Sequence, residues 1–456
     1  MLPIAFCERM KELLGEEYGE FISALEGEDA IKGIRVNGCK TDLSHFLSVS
    51  RLAKERIPYT DDGFYPTENE GIGNTPEHHA GMIYVQDPGA MAPIWAVDIK
   101  EGWRVCDLCS APGGKSAQAA ARIGERGFLL SNEYVPKRAK LTVSNFERLG
   151  ITNAVVTSMD TGELTKLFSE EFDLVICDVP CSGEGMFRKS EEARAEWSPE
   201  NVIACAQRQR EILRNAARLV KRGGRILYST CTWSLEEDEG VLAEFLRANP
   251  DFHIEPPSDK ICASTSPGIS VDGVDMSNAR RFYPHISPGE GQFLAVLKND
   301  GVPSDKQTIL YKDGAKPLSK AENAIVNKFI KDNMTDTPNG RIVKCGELIT
   351  LISHDCPIPP RGVFMSGVLF GELKGNMLFP SHQLFSSYGR LFKSQVQFTR
   401  GDERCRRYLH GEEIPADPDT LPGWCSVLYE GIPLGGGKAS GGVVKNHYPK
   451  GLRIKG

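Results

Sequence analysis

The 456-residue chain has no apolar run approaching the roughly 18 residues that a membrane span needs. Its start, Met1-Leu2-Pro3-Ile4-Ala5-Phe6-Cys7-Glu8, lacks a basic stretch followed by an apolar one, so no secretory signal is expected. A GxGxxG turn and a complete Walker A loop are also missing, which argues against a nucleotide held by its phosphates. Positive charge is lacking overall. With 54 Lys and Arg against 61 Asp and Glu, the net charge of −7 excludes a protein coated in positive charge. Cys106-Asp107-Leu108-Cys109 has the spacing of half a zinc site, but no second Cys or His pair matches it. These thiols read as small buried hydrophobes, and no metal is expected. The 13 cysteines are scattered and odd in number, which fits a reducing, cytoplasmic setting better than a disulfide scaffold.

What is present is an ordinary globular composition, 40% hydrophobic and 25% charged. The length allows about two to four domains. Charge is unevenly placed. Residues 1–30 hold eight acids and two bases, whereas residues 431–456 hold five bases and no acid. Such a basic end fits a localised phosphate-contacting surface; a solvated tail is the plainer reading.

Phe6, Met10, Leu13, Leu14, Phe21, Ile22 and Leu25 recur at helical spacing and predict one first helix, followed by a short extended piece at 33–37. Residues 60–76 read as loop. From about residue 80 to 300, strands alternate with helices, which predicts a mainly parallel sheet. The strands fall at 103–108, 127–131, 154–157, 172–177 and 225–228, with helices at 116–123, 136–149 and about 199–220. A late strand at 292–297 is expected antiparallel at the edge. Residues 301–317 read as a linker, and Ser319-Lys320-Ala321-Glu322 as a capping box opening a helix. Strand-like pieces beyond it mark a further small α+β or β-rich region. The division expected is therefore 1–79, an α+β domain; 80–300, the catalytic domain; 301–317, the linker; 318–385, a small α+β domain; and 386–456.

Two signatures carry the chemistry: Asp178-Val179-Pro180-Cys181-Ser182-Gly183 and Ser229-Thr230-Cys231-Thr232. Each follows an apolar strand, so each thiol points into the crevice where open α/β sheets bind ligands. If the strands are neighbours, the pair suits covalent chemistry on an electrophilic ring, one cysteine attacking and the other helping release. Buried core thiols are the bland alternative. The first strand–helix turn, Cys109-Ser110-Ala111-Pro112-Gly113-Gly114-Lys115, is built of small residues that let a ligand approach the backbone. Glu133 ends the second strand, where a carboxylate can accept from ribose hydroxyls. Asp160 follows the third strand and could meet an adenine amino group, and Asp178 follows the fourth. Separately each acid reads as a solvated loop residue or helix cap; together they outline a pocket for an adenosine-type cofactor.

On these residues the chain resembles the Nop/Sun family of RNA 5-methylcytosine methyltransferases, most closely its RsmF-type bacterial ribosomal-RNA members. The matching segments are Asp107 to Lys115, Glu133, Arg138…Asn145…Arg148-Leu149-Gly150, and both cysteine signatures, with Tyr84-Val85-Gln86-Asp87 upstream and Arg281-Phe282-Tyr283-Pro284-His285 downstream. Tyr408 to Glu412 and Lys445 to Gly451 resemble the PUA-like RNA-binding domain of such enzymes. The resemblance implies a Rossmann-like class I methyltransferase domain with an N-terminal α+β domain and a C-terminal PUA-like region over 386–456. It implies S-adenosylmethionine as cofactor, held by residues 109–115, Glu133, Arg138, Asp160 and Asp178. It implies RNA as partner, 16S ribosomal RNA or the small ribosomal subunit, with no membrane. Cys231 is then the nucleophile, Cys181 assists breakdown of the adduct, and Asp178 hydrogen-bonds the ring.

The chemistry agrees. Carbon-5 of cytosine is too weak a nucleophile to take a methyl group unaided, and a thiolate adding to carbon-6 makes it enamine-like. Cys231 then needs local positive potential or a base. A DNA methyltransferase would attack with the Pro-Cys thiol and leave the second cysteine idle. An amino-group methyltransferase would carry an Asn/Asp-Pro-Pro-aromatic strand end, which is not found. A non-catalytic assembly factor would have lost a cysteine, and transfer RNA remains an alternative substrate. Gly435-Gly436-Gly437-Lys438 reads as a turn presenting Lys438 to RNA, and His78-His79 as surface. Trp197, Trp233 and Trp424 read as either base-stacking or core, and Arg35-Val36-Asn37 as an RNA contact or a strand exposing one arginine.

Overall fold

The alternation read between residues 80 and 300 builds one twisted sheet. The structure is a computed structural model describing residues 2–27, 30–287, 289–302, 308–353 and 356–454. Its central strands are Arg104–Asp107 (β1), Phe128–Asn132 (β2), Ala154–Thr157 (β3), Phe172–Asp178 (β4), Val220–Thr230 (β5), Gln292–Asn299 (β6) and Val363–Ser366 (β7). They lie in the order β6-β5-β4-β1-β2-β3-β7. Strands β1 to β5 run parallel, while β6 and β7 are antiparallel to their neighbours. The parallel strands are apolar on both faces because helices cover both. Val175 and Ile226 face one core with Leu213, and Ile176 and Leu227 face the other with Ala117 and Phe146.

Local signals set the helices. Gly114–Ile123 (α1) follows the small-residue turn, and Pro136–Leu149 (α2) starts on its proline and ends on Gly150 at φ 66°. Pro199–Leu219 (α3) is capped by Ser198. Strand order reverses between β1 and β4, so the crevice of this sheet opens at their carboxyl ends. The two cysteine signatures follow β4 and β5, which are neighbours.

Several expectations change. The first helix is two, Ile4–Leu14 and Tyr18–Gly27, because Gly15 turns the chain at φ 55°. Phe6 and Phe21 of this pair pack edge-on to Trp197 and Trp233, so both tryptophans are core. The expected loop at 60–76 contains a strand, Gly63–Pro66, in a four-stranded sheet with Ala53–Arg56, Gly33–Val36 and Ile83–Gln86. In that sheet Arg35 and Asn37 are buried, so neither is an exposed RNA contact. Arg35 bonds the Gly114 carbonyl at 3.0 Å and props the start of α1. Strand β6 is antiparallel as expected, yet internal: Phe252–Glu255 and Arg280–Phe282 both pair with it.

Beyond the catalytic sheet, Ser319 and Glu322 form the expected capping box on Lys320–Asn333. A five-stranded sheet runs from Lys316–Pro317 to Met377–Pro380. Residues 303–307 of the expected linker lie outside the described residues; on its far side Ile309 bridges Phe168 and Lys316–Pro317 joins a strand. Strand β7, within 318–385, leaves that region to close the β3 edge of the catalytic sheet. The last sheet comprises Gln395–Phe398, Ile414–Pro415, Gly423–Tyr429, Ile432–Ser440 and Val443–Asn446. Gly435 to Lys438 is strand here rather than a turn. A Cβ at Gly436 would sit 2.3 Å from the Phe385 ring, so glycine permits close packing. Lys438 is exposed and lies over the half-buried Trp424 ring. His78 and His79 are half-buried instead of surface, with His79 Nδ1 2.8 Å from the Tyr448 hydroxyl. Burial first, and the nearby Arg148 second, push their pKa values down to about 3 and about 4.

Candidate active site

The turns after β4 and β5 are tied together at several places. Ser182 Oγ lies 2.9 Å from Thr232 Oγ1, and Gly185 N donates to the Cys231 carbonyl at 2.9 Å. Between them Cys181 Sγ and Cys231 Sγ stand 3.3 Å apart. The hydrogen bond with Cys231 and then burial push the Cys181 thiol well above its ordinary pKa, so at rest it keeps its proton. Among the described residues no group of His, Cys, Asp and Glu could hold a metal ion, and Cys106 is a fully buried strand residue.

The acid and cation beside the thiols come from β4 and α1. Asp178 Oδ1 receives the Ser229 hydroxyl at 2.8 Å and the Lys115 ammonium at 2.9 Å. Burial disfavours the Lys115 charge, but Asp178, the bond to it, and Cys231 outweigh burial and raise the lysine pKa. A persistent ammonium therefore lies within electrostatic reach of Cys231. Lys115 is expected among the cofactor ligands; in the structure its ammonium contacts Asp178.

Sequence reasoning passed over the segment after Cys231. Glu237 Oε2 accepts from Ser182 N at 2.9 Å and Gln209 Nε2 at 2.8 Å, and Gln209 also bonds the Pro180 carbonyl at 3.0 Å. This carboxylate fixes the Pro-Cys turn. Burial pushes its pKa up to about 7. Glu184 receives Trp233 N, Ser234 Oγ and Trp197 Nε1, and Arg281 forks onto Glu239. The only sequence signal was a dense run of acids, Glu236 to Glu239, which reads as a solvated face until the fold buries it.

The remaining ligand candidates surround the β1–α1 turn. Gly113 sits at φ 103°, and a Cβ there would meet Phe146 at 3.1 Å; one on Gly114 would meet Tyr84 at 2.9 Å. Helix α2 braces the turn, with Arg138 bonding the Ala111 carbonyl at 3.2 Å and Asn145 the Pro112 carbonyl at 2.8 Å. Cys109 is half-buried, and its N–H bonds Asp107 Oδ1. Two polar atoms here are buried without a hydrogen bond: Ser110 Oγ and Glu133 Oε2. Arg138 Nη1 is 3.5 Å from that Glu133 oxygen, beyond good bonding distance. Buried orphans at a strand end call for a ligand with hydroxyls and amines, which an adenosine-type cofactor supplies. Asp160 is exposed and accepts from Gly162 N at 2.8 Å as a helix cap. That contact leaves its second oxygen for a ligand.

Three family models match in chain order. Residues 2–88 match the N-terminal domain of 16S rRNA methyltransferase RsmF, 94–298 match 16S rRNA methyltransferase RsmB/F, and 395–454 match the methyltransferase RsmF PUA domain. The ribosomal RNA small subunit methyltransferase F of Vibrio vulnificus is 30% identical over 99% of this chain and 97% of its own. The chain belongs to the RsmF family of 16S ribosomal-RNA methyltransferases. Its relative in Aliivibrio salmonicida is 28% identical over 99% of this chain and 97% of that one. Among solved structures, a methyltransferase homologue from Pyrococcus horikoshii superposes with TM-score 0.55 at 28% identity, covering 65% of this chain and 94% of that one. NSun6 from the same organism, with TM-score 0.55 and 21% identity over 66% and 99%, shares the fold.

This RsmF-family chain is thus a methyltransferase with an RNA substrate and S-adenosylmethionine as its cofactor, and the orphaned atoms fit that group. Glu133→Gln is expected to weaken S-adenosylmethionine binding about ten- to a hundred-fold, the worth of hydrogen bonds to a charged acceptor. Calorimetric titration of cofactor into the two proteins measures it; equal affinities would remove Glu133 from the site. No described helix is long and apolar enough to cross a membrane.

Proposed function

We propose that this chain methylates carbon-5 of a cytidine in 16S ribosomal RNA through a covalent bond between Cys231 and carbon-6. The observation that carries the reading is the pair of sulfurs 3.3 Å apart with a charged lysine in electrostatic reach. S-adenosylmethionine, held by the 109–115 turn, Glu133, Arg138 and Asp160, supplies an electrophilic methyl group when bound. The protein's residues do the rest. The Cys231 thiolate adds to carbon-6, and the electron pair displaced from the 5,6-double bond gathers on the ring while Asp178, held by Ser229 and Lys115, meets the ring edge. Once carbon-5 carries its methyl, its proton must leave. Cys181 is suited to take it: the hydrogen bond to Cys231, the largest cause of its high pKa, ends when that sulfur bonds carbon-6. Cys181 then releases its own proton to solvent and accepts the one on carbon-5. The electron pair of that C–H bond restores the double bond and expels Cys231 as thiolate.

Both thiols are used, which separates this cycle from one with a single Pro-Cys nucleophile. A ribosomal-RNA substrate supports a cytoplasmic setting beside the small subunit. The test is incorporation of tritiated methyl from S-adenosylmethionine into a 16S ribosomal-RNA transcript, compared with transfer RNA and a DNA copy, followed by bisulfite sequencing. A modified cytidine in the 16S transcript is the expected result. Label on transfer RNA or DNA alone would overturn the substrate, and no label on any would overturn the activity.

A further inference from the structure

A cleft of about 460 Å³ opens at the junction of the three matched regions, away from the paired sulfurs. Its walls are Asn74, His78 and His79 from the N-terminal region, Ser144, Asn145 and Arg148 from α2, and the last described residues, Gly451 to Ile454. That size lies within the roughly 300–1,000 Å³ of ordinary ligand pockets. No Asp or Glu lines it.

The cleft is positive for a structural reason. Arg148 is buried and gives three of its five N–H groups to the His78 and Ile83 carbonyls and the Asn145 side chain, none of which neutralises it. Burial lowers its pKa to about 10, and the only groups opposing that are the tyrosines Tyr84 and Tyr448. Among the described residues Arg453 bonds only the Tyr448 carbonyl. Among the described residues neither guanidinium has a carboxylate partner. A buried cation without a counter-charge, such as Arg148, is costly, and an anion would offset that cost; Arg453 beside it is half-buried. Both neighbouring histidines are held neutral near pH 7, so the two arginines set the charge.

We propose that this cleft is a docking site for a phosphodiester of the substrate RNA, gripped between Arg148 and Arg453. Planar guanidinium groups suit phosphate oxygens. Exposed Lys445 and Lys450 continue the positive surface along the C-terminal region, as an extended polyanion requires. Asn145 joins the cleft to the cofactor turn through Pro112, so docking there braces α2 against the donor site. The inference rests on the RNA-methylating reading and adds where the RNA backbone is held.

Two variants test it in the full chain: Arg453→Gln removes a cation, and Ser144→Glu sets a carboxylate on an exposed, unbonded position of the wall. Filter binding of a 16S ribosomal-RNA transcript from about 50 to about 200 mM salt should show each variant several-fold weaker at low salt, with a log–log slope shallower by about 0.7–0.9. KM for RNA should rise while kcat at saturation holds. If Arg453→Gln melts early, Ser144→Glu carries the test. Wild-type affinity and slope in the folded variants would overturn the docking site while leaving methylation standing. A wild-type protein that does not methylate the transcript would instead overturn the function. A third arm adds inorganic phosphate: if it stabilises wild type against heat but not Arg453→Gln, and RNA slopes are unchanged, the cleft binds small anions and the RNA assignment falls.

Discussion

Cys231→Ala is expected to abolish methyl transfer, with initial rates on the 16S transcript falling on the order of 10⁴-fold or more. The reason is specific to the ring. Without a thiolate on carbon-6, carbon-5 keeps its poor nucleophilicity, and no donor geometry compensates. Binding should survive. The residues proposed to hold the cofactor include the 109–115 turn and Glu133, and among the described residues the Cys231 side chain hydrogen-bonds only Cys181. Calorimetry should therefore return wild-type affinity for S-adenosylmethionine while tritium counts vanish. Residual turnover within a factor of ten of wild type would move the nucleophile elsewhere.

Cys181→Ala should have a visible opposite consequence: a covalent protein–RNA species that accumulates after methyl transfer. Attack by Cys231 does not use the second sulfur, so the adduct forms and carbon-5 is methylated. Removal of the carbon-5 proton then loses its acceptor, and elimination stalls. With cofactor and transcript, a denaturing gel should show most of the variant shifted to high mass, whereas Cys231→Ala and the double variant show none. If the shifted band instead appears with Cys231→Ala, the roles of the two thiols are reversed. The proposed order rests on Cys181 being the sulfur that its hydrogen bond and burial keep protonated, and on the charge of Lys115 acting on Cys231.

Much of the site was legible because its signals are local. A strand followed by small residues or by Pro-Cys announces itself, and α2 carries its own start at Pro136 and stop at Gly150. The strands β1 to β4 were visible as apolar runs bounded by turns. What escaped depended on distant pairing. Nothing near Arg35 says that it will be buried under the start of α1, and the triple glycine at 435–437 reads as a turn unless Phe385 is known to pack against it. The acids after Cys231 have the composition of a solvated helix, and only folding converts Glu237 and Glu239 from that run, with Glu184 from the Pro-Cys turn, into anchors for the two cysteine turns. Lys115 reads from the sequence as part of a cofactor loop; that its side chain reaches Asp178 is a three-dimensional fact.

The strand Val363–Ser366 has a consequence for how the protein is made. It pairs with β3, and Gly367 N bonds the Ala154 carbonyl at 2.8 Å, so the edge of the catalytic sheet is sealed by residues more than two hundred positions downstream. During synthesis that edge waits uncovered while the ribosome adds the intervening chain, and a bare strand edge invites pairing with other chains. A fragment cut at the end of β6 would keep every residue proposed to be catalytic yet emerge from translation with that edge permanently open. Catalytic competence and resistance to aggregation are thus encoded in different parts of the message, the second arriving last.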